Sequence, residues 1–384
     1  MRKGTRTGTC ARHRRTVSLQ ERLERTTNDM GDWLAPWPMT HDTKDTEPTK
    51  RSEERGDFAQ RSFQIAGTSW RTTPVFDTYW RFAQARQEIY HRRVAGWDLS
   101  STADEILSTY KFTNAYRAAD RVSQYLIREV IYNGDQSSEN LFFRILLFKI
   151  FNKIDTWELL VRALGDLSWS EGIVPRIANV LNNSLRSGLR IYSAAYIMPS
   201  GGGKYPRKHD AHLALLRKMM QERLYDQIHE SGTMEEAFAL LRSQPMLGDF
   251  LAYQFVTDLN YSELCDFNED EFVIPGPGAR DGIRKCFPDL PMRLASDAIK
   301  AVCVAQDREF TKRNLCFRDL WGRPLQLIDC QNLFCEVDKY SRIAHPEIEG
   351  ISGRTRIKQQ YRPKGPIENP FFPPKWRLES SGAV

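Results

Sequence analysis

At 384 residues the chain has room for two average domains or for one large domain with tails. Apolar residues make up 41% and aromatics 11%, enough for a sizeable core, and a net charge of +6 is too small for bulk attraction to define a partner. The seven cysteines, at 10, 265, 286, 303, 316, 330 and 335, form no CxxC pair and have no His at ligand spacing, which argues against a zinc site or a disulfide framework and fits a reducing compartment.

Residues 1–75 carry 14 Lys/Arg against 10 Asp/Glu with little periodicity, and are expected to be a disordered N-terminal region. The opening "MRKGTRTGTCARHRR" has charge but no apolar run behind it, so it is not a secretory signal. The expected location is intracellular, and nuclear in a eukaryote. From Phe76 the pattern turns helical. "FDTYWRFAQARQEIYHRR" has apolar residues at 76, 79, 80, 83 and 90, and "FTNAYRAADRVSQYLIREVIY" repeats them at 115, 119, 122, 126 and 130, predicting two amphipathic helices. Arg117, Asp120 and Arg121 fall opposite that second stripe, either as a solvated face or as a cationic site.

The most apolar stretch, "LFFRILLFKIFNKIDTWELL", is interrupted by Arg144, Lys149, Lys153, Asp155 and Glu158. It is too broken to span a bilayer and reads as a helix buried on most sides, so no membrane partner is expected. Helices are predicted over 139–164, 170–186, 209–230, 233–243, 248–258, 291–313 and 329–343. That at 233 opens with a capping box, Thr233 and Glu236. "PSGGGKYPRKHD", 199–210, fails as a phosphate loop because Tyr205 follows Lys204 and prolines stand at both ends. No other segment supplies that motif, so neither a nucleotide cofactor nor kinase activity of this chain alone is expected.

Three stretches invite a site reading. "SQPMLGDFLAYQFVTDLNY", 243–261, is either a joint between helices or one half of a helix-hairpin-helix whose backbone at Leu247, Gly248 and Asp249 faces a DNA phosphate. Tyr253 and Gln254 would then pack behind it. "EFVIPGPGARDGIRKCF", 271–287, joins Gly276 and Gly278 to a helix start flanked by Arg280 and Arg284, suiting a phosphate or a plain structural turn. "LIDCQNLFCEVDKYSR", 327–342, lines up Asp329, Asn332, Glu336 and Lys339 on one helical face, as a solvated surface or as part of a base pocket. The tail from 354 is basic and Pro-rich, with 7 Lys/Arg against one Glu over 354–378, and is expected to be extended and disordered. The globular part is thus residues 76–353, a single all-α domain.

Taken in order, "TYWRFAQARQ", "KFTNAYRAADRVSQYLIREVIY", "FFRILLFKIFNKIDTWELL", "FLAYQFVTDLNY", "PGPGARDGIRKCF" and "LIDCQNLFCEVDKYSR" resemble the helical domain of 5-hydroxymethyluracil (5-hmdU) DNA kinases, from about Thr78 to Arg362. That domain is similar in turn to the alpha-glutamyl/putrescinyl thymine pyrophosphorylases, with a helix-hairpin-helix DNA-glycosylase-like fold. The resemblance implies a part in thymine hypermodification, with DNA as partner and a separate P-loop kinase supplying phosphoryl transfer. Alternatives are a modified-base glycosylase, a transferase displacing pyrophosphate, or an inactive scaffold that recruits a kinase. The glycosylase hairpin, Leu-Pro-Gly-x-Gly, matches Gln244, Pro245, Met246, Leu247 and Gly248 with its first Gly lost. Phe250 stands where bifunctional members carry a Schiff-base Lys. The catalytic Asp of that fold maps near Asp266 and Asp270; Asp258 and Glu336 are further acidic candidates. A base pocket is expected where Arg117, Arg121, Arg280 and Glu336 meet beside the bend.

Overall fold

The computed structural model describes residues 61–96, 102–362, 367 and 369–379. The first sixty residues, on which most of the expected N-terminal disorder falls, lie outside them, as do 363–366, 368 and 380–384 of the tail.

A short hairpin comes first, where disorder was expected through residue 75. β1 (Ser62–Ile65) pairs antiparallel with β2 (Thr68–Arg71), placing Phe63 opposite Trp70. Phe63 and Ile65 face inward and their neighbours outward, the period of two that a half-buried strand requires. Both turn residues, Ala66 and Gly67, have positive φ, the conformation that a tight two-residue hairpin demands. Phe63 then packs its ring on Phe76 and Phe287, which ties the hairpin to the helical core.

The rest is helical, with fourteen α-helices among the described residues. They are α1 (Pro74–Val94), α2 (Glu105–Thr109), α3 (Arg121–Tyr125), α4 (Ser138–Phe151), α5 (Ile154–Leu164), α6 (Ile173–Arg186) and α7 (Lys208–Gln221). There follow α8 (Leu224–Glu230), α9 (Met234–Arg242), α10 (Asp249–Leu259), α11 (Pro277–Cys286), α12 (Ala295–Val304), α13 (Gln306–Lys312) and α14 (Leu327–Ala344). No helix among the described residues is long and apolar enough to cross a membrane.

Local chemistry accounts for the best-defined ends. Thr73 caps α1 by accepting from the Val75 N–H, with Pro74 in the first turn and His91, Arg92 and Arg93 in the last. Thr233 caps α9 through the Glu236 N–H, while the Glu236 carboxylate reaches the N–H of Gly232, one residue earlier than a capping box needs. Among the predicted helices, 291–313 breaks at Ala305, between α12 and α13, and two others break at left-handed residues. Asn152 (φ +47) separates α4 from α5 and Arg223 (φ +50) separates α7 from α8, because a left-handed residue ends the i→i−4 ladder.

α11 and α14 form the tightest helix seam, and glycines make it possible. A Cβ on Gly282 would stand 2.0 Å from the Phe334 carbonyl oxygen, and one on Gly278 would stand 2.3 Å from the Cys335 sulfur. Lys285 and Asp338 meet across this seam at 3.2 Å, both buried, and Arg342 reaches the same carboxylate at 2.5 Å. The described part of the tail is not free either. Lys375 donates to the carbonyls of Ser262 and Cys265, Gln124 bridges the backbone of Phe371, and Arg323 lies 3.8 Å over the Trp376 ring.

Candidate functional site

α4 is apolar nearly all round, and every residue from Asn140 to Phe151 is buried. Lys149 is carried into that interior on it and must find a negative partner there, since an unpaired buried ammonium is prohibitively unfavourable. Asp258, fully buried in the last turn of α10, is that partner: Lys149 Nζ stands 2.7 Å from its Oδ2, an ionic contact whose angle falls short of an aligned hydrogen bond. Arg117 approaches from the other side and donates to Asp258 Oδ1 at 2.7 Å, to the Tyr261 hydroxyl at 3.0 Å and to Gln254 Oε1 at 3.1 Å. Two cations therefore share one carboxylate, and all three side chains are at most 4% exposed.

The electrostatics follow from that count. Burial alone would push the Asp258 carboxyl up, but Arg117 and Lys149 outweigh it and hold it below the ordinary carboxylate range. Burial works against the Arg117 charge as well, and Asp258 reverses the balance and raises it. For Lys149 burial wins, and its ammonium is pulled down to about 8.

Arg117 reaches this position because its segment is not the amphipathic helix predicted. Residues 111–116 form no regular element, Arg117–Ala119 make one 3₁₀ turn, and Leu126–Ile131 wind as a π-helix. Backbone groups in an irregular interior segment need partners, and α14 supplies them. Asp329 accepts from the N–H of Arg117 at 2.8 Å, Glu336 from that of Thr113 at 3.1 Å, and Asn332 donates to the Asn114 carbonyl at 3.1 Å. Asp120 turns back on the Asn114 N–H at 2.8 Å. The polar face of α14 is thus neither solvated nor open; it is a clamp that fixes the loop bearing Arg117. Burial raises the carboxyls of Asp329, to about 6, and of Asp120, to about 7.

Tyr196 covers the cluster. Its ring lies 4.3 Å from Lys149 Nζ and stacks almost parallel on Phe250, with centroids 5.8 Å apart. Tyr196 holds φ +55, a strained value for a bulky side chain. It belongs to an irregular stretch, 189–207, in which Gly201, Gly202 and Gly203 also have positive φ. That stretch leans on the bend before α10, where a Cβ on Gly201 would stand 3.2 Å from the Met246 sulfur.

At the bend Leu247 is buried and its N–H donates to the Gln244 carbonyl at 3.3 Å, while Gly248 and Asp249 are exposed at the start of α10. Gly248 is extended (φ −79, ψ 172), and the positive φ of the turn falls on Met246 instead (φ +68). A Cβ on Gly248 would meet nothing within 4 Å, so no contact inside the chain requires glycine there.

Other expectations need correction. Gly276 and Gly278 approach Phe250 and Cys335 of this chain, and the Gly276 N–H donates to Gln331 at 3.1 Å, so the close approach those glycines permit is to the protein's own core. Arg280 and Arg284 return to the carbonyls of Pro275 and Pro288. Arg121 and Arg280 are exposed while Arg117 and Glu336 are buried, so the four do not line one cleft. Asp266 is exposed beside Lys375, and Asp270 sits in an exposed turn; neither touches Asp258. Tyr253 is buried in the core against Phe272. Lys339 pairs with Glu336 at 2.6 Å and lies over Phe112. Sequence reading missed Lys149 and Tyr196. A Lys buried in a largely apolar helix, along with Arg144, was the available signal for the first; nothing local marks the second.

The family model for the helical domain of 5-hmdU DNA kinase matches residues 73–350. A 5-hmdU DNA kinase of Bacillus phage SP10 is 26% identical over 290 residues, covering 69% of this chain. The match takes in 45% of the phage protein, so the chain corresponds to about half of that relative. No solved structure matches.

Proposed function

The chain belongs to the 5-hmdU DNA kinase helical-domain family, and from that premise we propose that it binds DNA containing 5-hydroxymethyluracil and receives the modified base at the Arg117–Asp258–Lys149 cluster. One observation carries the reading: α10 joins the exposed bend at Gly248 to the buried acid Asp258. Eleven residues of helix span about 15 Å, a distance compatible with a phosphate held at one end and an extruded base at the other. Exposed N–H groups at the start of α10 suit a backbone phosphate, and a helix-hairpin-helix of glycosylase type is the arrangement that α9, the bend and α10 would form. In this reading phosphoryl transfer belongs to a P-loop kinase outside these 384 residues, which contain no such motif.

The Lys149–Asp258 contact favours a second reading, in which the cluster acts on the base itself. It places an amine of lowered basicity against a carboxylate, although the hairpin carries Phe250 rather than Lys. Incubating the protein with 5-hydroxymethyluracil duplex, with and without ATP, and weighing the nucleosides separates the two: an unchanged base supports recognition, and a released or altered base supports chemistry. Binding is tested with Gly248→Val. Since its Cβ meets open space, unfolding should shift by no more than about 0.5 kcal/mol. Duplex affinity should fall, with a salt dependence shallower by about one unit of slope. Unchanged affinity and slope would reduce the bend to a joint between helices.

A further inference from the structure

Tyr196 is unusual in doing several things at once in a strained conformation. It presents its ring to an ammonium, lies flat on a second ring, and covers a buried carboxylate shared by two cations. It does so from a glycine-bearing stretch that has no helix or strand, so little regular structure would break if it withdrew. Its neighbour Ile197 is 67% exposed, and Leu189, Arg190, Lys204 and Tyr205 of the same stretch are also exposed. Apolar side chains bared beside basic ones suit a surface that meets nucleic acid, where an aliphatic wedge can fill the gap that an extruded base leaves.

We infer that Tyr196 occupies a base-stacking subsite in the free protein, and that an extruded pyrimidine displaces it, stacking on Phe250 with its polar edge turned to Arg117 and Lys149. The exchange is chemically matched. A pyrimidine offers Phe250 the same flat face, and it offers the two cations carbonyl or 5-hydroxyl oxygens where Lys149 now meets a ring face. Contact of the 189–207 stretch with Met246 joins this movement to the bend, so engagement of a duplex there and withdrawal of Tyr196 reinforce one another. The inference rests on the reading that this domain recognises 5-hydroxymethyluracil, and it adds the subsite and what fills it beforehand.

A plug lowers apparent affinity by the fraction of molecules in which the site is open. Its removal should therefore tighten binding of a ligand too small to use the bend. The probe is 5-hydroxymethyl-2′-deoxyuridine 5′-monophosphate, titrated calorimetrically into the full chain. Tyr196→Gly suits the positive φ and should bind the nucleotide about tenfold more tightly than the unmodified protein. Tyr196→Phe keeps the plug and should bind as the unmodified protein does. Phe250→Ala added to Tyr196→Gly should abolish the gain. A folded Tyr196→Gly protein that binds the nucleotide equally or more weakly overturns the inference, as does a double variant that keeps the gain. Gly248→Val separates the two levels. Loss of duplex binding with nucleotide binding intact supports both; nucleotide binding that follows the plug pattern while no variant binds duplex leaves the subsite standing and removes the DNA reading.

Discussion

Among the described residues, the seam between α11 and α14 and the far end of α10 each bury a carboxylate between two cations. In the seam between α11 and α14, Asp338 takes Lys285 and Arg342; at the far end of α10, Asp258 takes Lys149 and Arg117. The charges are alike, and both carboxylates are at most 2% exposed. What differs is the surroundings. Around Asp338 the donors return to the backbone, Lys285 to the Asp338 carbonyl and Arg342 to that of Arg356, between helices drawn together by glycine. Around Asp258 the donors meet side chains, Gln254 and Tyr261, under a strained tyrosine in an irregular stretch. Buried charge by itself does not distinguish a site from a staple. The two clusters differ in whether the neighbours are backbone of packed helices or side chains under an irregular cover.

Removing either acid has the largest expected effect. Asp258→Ala and Asp338→Ala should each destabilise the fold by about 3–5 kcal/mol in denaturant unfolding, because each leaves two buried cations facing one another. The site reading is sharpened by adding Lys149→Met to Asp258→Ala, which should recover part of that loss through non-additive coupling. Asp338→Asn should leave 5-hydroxymethyluracil nucleotide binding untouched where Asp258→Asn abolishes it. Equal effects of the two on binding would erase the difference argued here.

A smaller effect separates the clamp on α14 from both ion clusters. Burial raises the Asp329 carboxyl to about 6, so the folded state holds its proton more tightly than the unfolded chain does. Its stabilising contribution is complete below about pH 4 and is lost as pH rises to about 6. Measured as the difference between unmodified protein and Asp329→Asn, stability should fall by about 2–3 kcal/mol over that window and stay level above it. A difference independent of pH would show the carboxyl to be ordinary. The mildest change is Glu336→Ala, which takes the acceptor from the Thr113 N–H and the partner from Lys339; it should lower stability by about 1–2 kcal/mol and shift nucleotide binding only as far as Arg117 is displaced.

Much of the helical framework was legible without coordinates. The Thr233 cap of α9, the apolar period of α1 and the helix predicted over 329–343 are local features, readable because a helix satisfies its own backbone within four residues. Family membership was equally legible, from six ordered segments. Tertiary structure decided the rest. It broke two long helices at Asn152 and Arg223, where non-glycine residues accept a left-handed turn so that the next helix can pack. It turned the segment at 111–131 from one amphipathic helix into an irregular run, a 3₁₀ turn, α3 and a π-helix, because side chains of α14, more than two hundred residues away, accept its backbone hydrogen bonds. Of the four acids named from the sequence, it buried Asp258 against Arg117 and brought Lys149 and Tyr196 to it. Those positions share no spacing that a one-dimensional pattern could reveal. A buried carboxylate gathers its cations through space, and the chain's own periodicity records only that each of them had to be inside.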